Sequence, residues 1–312
     1  MTETRRPTKE VRDEKGGQNP RVRSPSRTED FLYCPILYQL KHIDKWVPNL
    51  YGKREISFAM GHAIGAGLDL FYRHTRLKES LPLIEGEVRP IEDYCVRVAM
   101  DAFEKSIQGC LDQGRTLNPK DEEVADQALG RVIRAMPRVL EQDPIPSDWT
   151  ILGSEVPLPD HGYCRIDLPV RDPVNLAVLD IKTSLTLAKD KVHFRRREYT
   201  HNWQQMHYCW AYGDAMGEPV YRYHILQVVL EPKTLVYFWP YSIHPENMAA
   251  WLVSARQTWK DIDDFHEGRR DPVQKPVHYG KYGDCEMFDA CLTHHYDEGL
   301  MRGDYIQIGG KT

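Results

Sequence analysis

The hydrophobic period of this chain changes near residue 150, and that change constrains the fold most strongly. Before it, apolar residues recur at helical spacing in four segments: FLYCPILYQLKHI, FAMGHAIGAGLDLFYRH, residues 91–113 and residues 121–141. Pro144 and Pro146 end this pattern, because proline has no amide hydrogen to continue a helix. From residue 151 to 183 the period becomes that of strands. The sequence therefore predicts an α/β protein whose first part is helical.

The second half of the chain predicts a mixed central sheet flanked by helices. Strands are expected at 151–159, 163–170, 176–184, 220–230 and 234–241. Helices are expected at 202–216, ended by Gly217 and Pro219, and from about 245 to 268. We divide the chain into a disordered basic arm at 1–28, an N-terminal helical region at 29–150, a sheet-containing core at 151–245 and a C-terminal helix and Cys-containing tail at 246–312.

Charge is distributed unevenly along the 312 residues. The net charge of −5 does not by itself suggest a nucleic-acid binder. Residues 1–28, however, hold eight Lys and Arg against four Asp and Glu, in a stretch rich in Pro, Gly and Ser. Such a composition favours disorder. The arm either keeps the protein in solution or attracts phosphate.

Composition also narrows the cellular context. No segment approaches the roughly 20 apolar residues of a membrane span, and the opening MTETRRPTKE lacks the apolar region of a secretory signal. Seven cysteines, an odd number, argue against a disulfide framework. We expect a cytoplasmic protein with no membrane partner.

Two aspartates are predicted to lie opposite each other in a hairpin. The segment 172–175, DPVN, fits a four-residue loop around a type I turn, with Asp first and Pro second. Closing this loop pairs Arg171 with Leu176, and the same antiparallel register places Asp167 opposite Asp180. Their side chains would lie about 5 Å apart on one face, with Lys182 two residues further along.

Like charges placed opposite each other destabilise a hairpin, so this arrangement requires an explanation. One explanation is a divalent cation, because two carboxylates and a backbone carbonyl are hard oxygen ligands that suit Mg²⁺ or Mn²⁺. Lys182 could then orient or deprotonate a water and counter developing charge. Alternatively, the register slips, or Asp167 forms a plain ion pair with Arg165 or Lys182.

The order of these residues resembles the PD-(D/E)xK nuclease superfamily. The strings RIDLPV, AVLDIKTS and WQQMHY contain Asp167, then Asp180-x-Lys182, then Gln204-x-x-x-Tyr208. The last pair is similar to the QxxxY helix of the RecB-type exonuclease branch, which includes phage and CRISPR-adaptation enzymes. The resemblance spans Cys34 to Cys291. It implies a restriction-endonuclease-like core with an N-terminal helical region, and a bacterial or phage-infected host cell.

Roles follow from the resemblance residue by residue. It implies that Asp167, Asp180 and the carbonyl of Ile181 bind the metal, and that Lys182 is the catalytic lysine. Gln204 and Tyr208, one helical turn apart, would position the DNA backbone or the lysine.

Two further positions of the family pattern, one acidic and one histidine, are matched less closely in this sequence. Glu155 resembles an acidic position that the family has on the strand before Asp167. We expect Glu155 to support the site rather than to bind the metal. The family also has a G-x-x-x-H helix whose His binds the metal. Here Gly61 is present but position 65 is glycine. His62 lies almost one turn away on the same face, and either substitutes for the missing imidazole or has no role at the metal.

Some family members hold a [4Fe–4S] cluster through one early and three late cysteines. Cys34 resembles the early ligand, and Cys285 and Cys291 resemble the last two. Tyr282 occupies the remaining position, so the resemblance implies an intact cluster completed by a histidine, a vestigial cluster or none.

A basic run lies between Lys182 and Gln204. It consists of Lys189, Lys191, Arg195, Arg196 and Arg197. Beside a metal site this run favours a phosphate clamp for DNA, and otherwise it is a solvated loop.

These features together predict a Mg²⁺- or Mn²⁺-dependent deoxyribonuclease. The resemblance implies an exonuclease that acts on linear or single-stranded DNA in recombination, repair or phage replication, with a recombinase or helicase as an expected partner. The alternative is a catalytically weak DNA-binding or structural protein on the same fold, which Gly65 favours.

Overall fold

The structure is a computed structural model that describes residues 24–81, 89–162, 164–188, 191–200, 202–271, 279–280, 283–285, 287, 290, 301–302 and 304–308. The predicted arm lies outside the described residues as far as position 23. Its predicted end at residue 28 is too late, because a helix begins at Pro25 and buries Arg27 and Thr28. Proline is well suited to the first turn of a helix, where no amide hydrogen is needed.

The described helices are α1 Pro25–Tyr33, α2 Pro35–Tyr38, α3 Lys53–Thr75, α4 Ile91–Asp112, α5 Glu122–Glu141, α6 Val192–Glu198, α7 Trp203–Met216 and α8 Pro245–His266. The first predicted helix is broken at Cys34, which is extended at φ −159° and ψ 116°. Pro35 explains this, because the residue before a proline is disfavoured in helical conformation. A π-helical turn, Gln39–Ile43, continues the chain after α2.

The described strands are β1 Trp46–Pro48, β2 Leu50–Tyr51, β3 Thr116–Leu117, β4 Thr150–Ile151, β5 Val156–Leu158, β6 Cys164–Ile166, β7 Leu168–Arg171, β8 Leu176–Thr186, β9 Arg222–Glu231, β10 Leu235–Ser242, β11 Tyr279–Gly280, β12 Gly283–Asp284 and β13 Tyr305–Gln307. Two predicted strands, 151–159 and 163–170, are each split. Glu155 interrupts the first with a positive φ of 51°, and a bend at Asp167 interrupts the second.

A five-stranded mixed sheet, in the order β10-β9-β8-β7-β4, positions the candidate site. Strands β8 and β9 are parallel, and the other neighbouring pairs are antiparallel. Parallel strands need a crossover connection, which α6 and α7 provide. The predicted α/β architecture, a mixed sheet flanked by helices, is confirmed.

Helices α3, α4 and α5 cover one face of this sheet. Their buried side chains form a single apolar cluster with Leu168, Ala177, Leu179 and Leu226 of the sheet. Gly67 of α3 permits close packing, since a Cβ there would lie 2.3 Å from the Met136 side chain and 3.1 Å from a backbone oxygen of α4.

The chain forms two compact units. One comprises Tyr51–Leu158 and Cys164–Met248, and the other comprises the described parts of 1–50, 159–163 and 249–312. Because α3–α5 pack on the sheet, the boundary predicted at residue 150 does not separate compact units.

The second unit has its own apolar cluster. It contains Cys34, Leu37, Leu40, Trp46, Met287, Ala290, Met301 and Tyr305. Strand β1 pairs antiparallel with β13 beside this cluster, with Val47 opposite Ile306. Among the described residues there is no helix of the length and hydrophobicity that crossing a bilayer demands.

Candidate active site

The hairpin that carries the site has the predicted register. Arg171 pairs with Leu176 and Leu168 with Leu179, which confirms the four-residue loop. The Asp172 carboxylate closes this loop by accepting hydrogen bonds of 2.8 Å from the amides of Val174 and Asn175. Local turn chemistry therefore fixes the position of the whole of β8 relative to β7.

Asp180 and Lys182 project from β8 towards α7. The Lys182 ammonium lies 2.7 Å and 3.0 Å from the two Asp180 carboxylate oxygens, and donates a 2.9 Å hydrogen bond to Oε1 of Gln204. The Gln204 amide nitrogen in turn donates to the hydroxyl of Tyr208 at 2.8 Å. Of the pair predicted to position the DNA backbone or the lysine, Gln204 contacts the lysine and Tyr208 contacts Gln204.

The charge state of Lys182 follows from these neighbours. Burial alone would lower the pKa of Lys182, but the negative charge of Asp180 outweighs it and holds the pKa above its ordinary value. The Lys182 side chain is 25% exposed and that of Asp180 only 4%. An incoming phosphate would therefore meet the ammonium first, with the carboxylate behind it.

Asp167 lies at the bend between β6 and β7, one residue before the paired segment. Its carboxylate accepts a 2.8 Å hydrogen bond from the amide of Ile181, between Asp180 and Lys182. Burial raises the pKa of Asp167 well above its ordinary value, and the charge of Asp180 raises it further. Arg165 pairs with Glu155 at 2.5 Å, so the alternative of an Arg165–Asp167 ion pair is not what the structure shows.

The donor set suits a hard divalent cation. Two carboxylates that repel each other inside the protein, Asp167 and Asp180, offer oxygen ligands, and Mg²⁺ is often held by one or two carboxylates with water and substrate phosphate completing the shell. Within the described residues, no three Asp, Glu, His or Cys side chains come together as a ready-made metal site. Water and substrate phosphate would therefore be needed as ligands in addition to the two carboxylates and the carbonyl of Ile181.

Glu155 and His62 are placed differently from the carboxylate pair. Glu155 lies between β4 and β5 rather than in a strand, and its amide donates to the carbonyl oxygen of Asp167 at 2.8 Å. Burial raises the pKa of its carboxyl group, while the charge of Arg165 opposes that rise. His62 lies on α3 with Nδ1 3.3 Å from the Ser106 hydroxyl of α4, so metal ligation by His62 stays a prediction.

Gln205 is a site residue that sequence reasoning missed. It is 1% exposed, and its amide nitrogen donates a 2.8 Å hydrogen bond to Oδ2 of Asp180. Asp180 is therefore held by two side chains, Lys182 at both carboxylate oxygens and Gln205 at Oδ2. Two glutamines stand together at the start of α7, and the spacing to Tyr208 marks only Gln204.

The basic run predicted to bind DNA forms most of α6 instead of a loop. Lys191 precedes the helix, and Arg195, Arg196 and Arg197 lie within it. Arg195 pairs with Glu198 at 2.7 Å, while Arg196 and Arg197 are exposed. Lys189 lies outside the described residues.

The cysteines predicted to hold a cluster are only partly described. Cys34 is buried in the apolar cluster of the second unit, and Cys285 packs against that cluster. Cys291 and Tyr282 lie outside the described residues. The iron–sulfur cluster stays a prediction.

Comparison with known proteins identifies the family of this chain. Residues 23–291 match the model of the PD-(D/E)XK nuclease superfamily. A crystal structure of a candidate exonuclease from Eubacterium rectale is similar in fold, with 14% sequence identity, a TM-score of 0.46, and coverage of 93% of this chain and 94% of that chain. The curated proteins contain no significant match. The family match extends over most of the chain and includes every residue of the Asp167–Asp180–Lys182 arrangement: the protein belongs to the PD-(D/E)XK nuclease superfamily.

Proposed function

We propose that this protein is a Mg²⁺- or Mn²⁺-dependent deoxyribonuclease that removes nucleotides from the ends of linear or single-stranded DNA. The observation that carries the proposal is the contact of Lys182 with both Asp180 and Gln204, beside Asp167, in a chain of this superfamily. RecB-type ancestry, and a role in recombination, repair or phage DNA processing beside a recombinase or helicase, belong to the same proposal.

The side chains divide the work of phosphodiester hydrolysis. Asp167, Asp180 and the carbonyl of Ile181 would hold the cation, which when bound supplies Lewis acidity at the phosphodiester. The Lys182 ammonium stabilises the negative charge that develops on the phosphate oxygens. The hydrogen bond to Gln204 holds the ammonium in place for this role.

Two side chains of α7 orient the lysine. Gln204 can accept from Lys182 only if its amide oxygen faces β8, and the bond from its amide nitrogen to Tyr208 fixes that orientation. Tyr208 is buried, so its hydroxyl is itself held in place. Fixed donors of this kind need no reorganisation during reaction.

The proposal is tested with linear DNA labelled at the 5′ or the 3′ end, as single strands and as duplex. Wild-type protein should release labelled nucleotides with Mg²⁺ or Mn²⁺ and stop when a chelator is added. Lys182→Ala should cleave about 10²- to 10⁴-fold more slowly, because a positioned charge at the reacting phosphate is lost. A closed circular single strand should resist cleavage if free ends are required.

A lysine far from the site provides the control. Lys120, on an exposed turn before α5, can be replaced by alanine in the same way and should leave the rate unchanged. Failure of wild-type protein to cleave any of these substrates with either metal would refute the proposed nuclease activity. Equal rates for wild type and Lys182→Ala would refute the assignment of Lys182 to the active site.

A second candidate, a DNA-binding protein with weak catalysis, is favoured by two observations. Both carboxylate oxygens of Asp180 are already engaged, by Lys182 and Gln205, and a cation would have to rearrange these contacts. At position 65, the family histidine is replaced by a glycine whose Cβ position has no atom within 4 Å. This candidate predicts binding of the same DNA without metal-dependent cleavage.

A further inference from the structure

Phe194, in the middle of the basic helix α6, is unusually exposed for an aromatic side chain. It exposes 66% of its surface, compared with 47% for Phe58 and 36% for Tyr221. Burial of a phenylalanine ring is favourable, so an exposed ring on a structured helix gives up stabilisation that packing would supply. A ligand that covers the ring would recover it.

The surroundings of Phe194 favour an anionic ligand. Residues 191–198, KVHFRRRE, contain four Lys and Arg and one Glu, which gives a net charge of +3 with histidine neutral. The single acidic residue, Glu198, is paired with Arg195. An apolar protein surface would gain little from this charge, whereas a nucleic acid combines phosphates for the cations with flat bases for the ring.

Hydrogen bonds connect α6 to the strand that carries Lys182. Tyr199, directly after the helix, is buried, and its hydroxyl donates to Oε1 of Gln227 at 3.2 Å. The amide nitrogen of Gln227 donates to the backbone carbonyl of Lys182 at 3.1 Å. In addition, the Tyr241 hydroxyl donates to the carbonyl of Arg196, within the helix, at 2.7 Å. Phe194 is therefore held at a defined place relative to the site.

The ring also borders a cavity at the end of β8. This cavity has a volume of about 290 Å³ and is lined by Phe194, Lys191, Arg195 and Thr186, among others. Thr186 follows Lys182 by four residues, which corresponds to about 13 Å along an extended strand. On this scale the cavity lies within a few nucleotides of the lysine, since neighbouring phosphates of one strand of duplex DNA are about 3.4 Å apart along the axis.

We propose that Phe194 stacks on a base of single-stranded DNA, a few nucleotides from the phosphate that is cleaved. This inference rests on the proposed function, because it takes Lys182 as the position of the reacting phosphate. Arg196 and Arg197 contact the flanking phosphates, and the cavity accepts the stacked base. Duplex DNA, whose bases are already stacked and paired, gains nothing from the ring.

The experiment measures binding rather than cleavage, so that it does not depend on catalysis. A fluorescently labelled single strand and a blunt duplex of the same length are titrated with protein in a chelator, at one fixed salt concentration. Phe194→Ala should bind the single strand about tenfold more weakly, as loss of one stacked base predicts. Binding of the duplex should change by less than about twofold.

Conservative variants separate stacking from simple apolar contact. Phe194→Trp should bind the single strand as tightly as wild type, because it keeps a flat ring, and Phe194→Leu should behave like Phe194→Ala. Val174→Ala is the matched control, since Val174 is 78% exposed and lies in the turn at the opposite end of β8. Thermal unfolding of each variant checks that the fold is kept.

Three results would each overturn the proposal. The first is wild-type affinity of Phe194→Ala for the single strand, and the second is equal affinity of the Phe194→Leu and wild-type proteins. The third is equal weakening of single-strand and duplex binding in Phe194→Ala. If no metal supports cleavage but the stacking pattern is found, the proposed function fails and the base-binding role of Phe194 stands.

Discussion

The two faces of β8 differ in composition although they belong to one strand. On the face towards α3–α5, Ala177 and Leu179 are fully buried in the apolar cluster, with Ile181 packed against it. On the face towards α7, Asp180 and Lys182 form a network with the glutamines of that helix. Alternation of side chains along a strand produces both faces from consecutive residues.

The difference teaches how this fold separates stability from chemistry. On one face, burial of apolar surface stabilises the folded strand by about 25 cal/mol for each Å² removed from water. The other face carries charges whose desolvation costs free energy that their pairing only partly returns. Substitutions on the two faces should therefore affect different measurements.

The largest effect is expected on the apolar face. Leu179→Ala removes a fully buried side chain and should lower the free energy of unfolding by about 2–5 kcal/mol, because it leaves a cavity between the sheet and the helices. Denaturant unfolding measures this change. Val174→Ala, a similar truncation in the exposed turn, should change stability by less than about 0.5 kcal/mol. Similar losses in both variants would contradict the assignment of this face as the core.

A histidine on the same face gives a pH-dependent prediction. His224 pairs in register with Leu179, is 3% exposed and stacks on Phe238 with ring centroids 5.1 Å apart. Burial lowers the pKa of His224 from 6.5 to about 4. The unfolded chain therefore binds a proton that the folded protein excludes, and stability should fall by about 3 kcal/mol as the pH falls from about 6.5 to about 4.

The test compares unfolding of wild type and His224→Phe across that pH range. Phenylalanine keeps the stacked ring but does not titrate, so the variant should lack this part of the pH dependence. The carboxylates titrate in both proteins and cancel in the difference. Parallel stability curves between pH 6.5 and 4 would show that His224 is not buried as a neutral ring.

Local sequence chemistry predicted the features that depend on neighbours in the chain. The Asp172-Pro173 turn gave the register that places Asp167 near Asp180, and Gly217, in the left-handed conformation at φ 65°, ends α7 where expected. The helices at 91–113 and 121–141 also agree with α4 and α5 within one residue at each end.

Features that depend on distant contacts were not predictable in this way. Glu155 adopts a positive φ because β4 pairs with β7 while β5 pairs with β6, so the chain must turn between them. The basic run is a helix anchored through Tyr199 to Gln227, a residue 28 positions later. Gln205 reaches Asp180 across 25 residues, and no local pattern marks it as a partner of that carboxylate.

Replacement of Gln205 tests the polar face of β8, which carries Asp180 and Lys182, most directly. Gln205→Leu keeps the volume of the side chain but removes the hydrogen bond to Asp180. We expect cleavage to fall about 10- to 100-fold and the metal concentration for half-maximal rate to rise, because partners of a metal-binding carboxylate orient it. Gln108→Leu, on the exposed face of α4, should leave both quantities unchanged. A loss of stability with an unchanged metal requirement would make Gln205 a purely structural residue.

The smallest effects separate two glycines of α3 that differ only in what surrounds them. A Cβ at Gly65 has nothing within 4 Å, so Gly65→Ala should raise the free energy of unfolding by about 0.5–1 kcal/mol through helix propensity alone. A Cβ at Gly67 would meet the Met136 side chain and the carbonyl oxygen of Cys95, so Gly67→Ala should lower it by about 1–3 kcal/mol. Opposite signs in thermal unfolding are expected from the same substitution two residues apart. If Gly65→Ala instead destabilises the protein, position 65 packs against something, and the space that would admit an imidazole there does not exist.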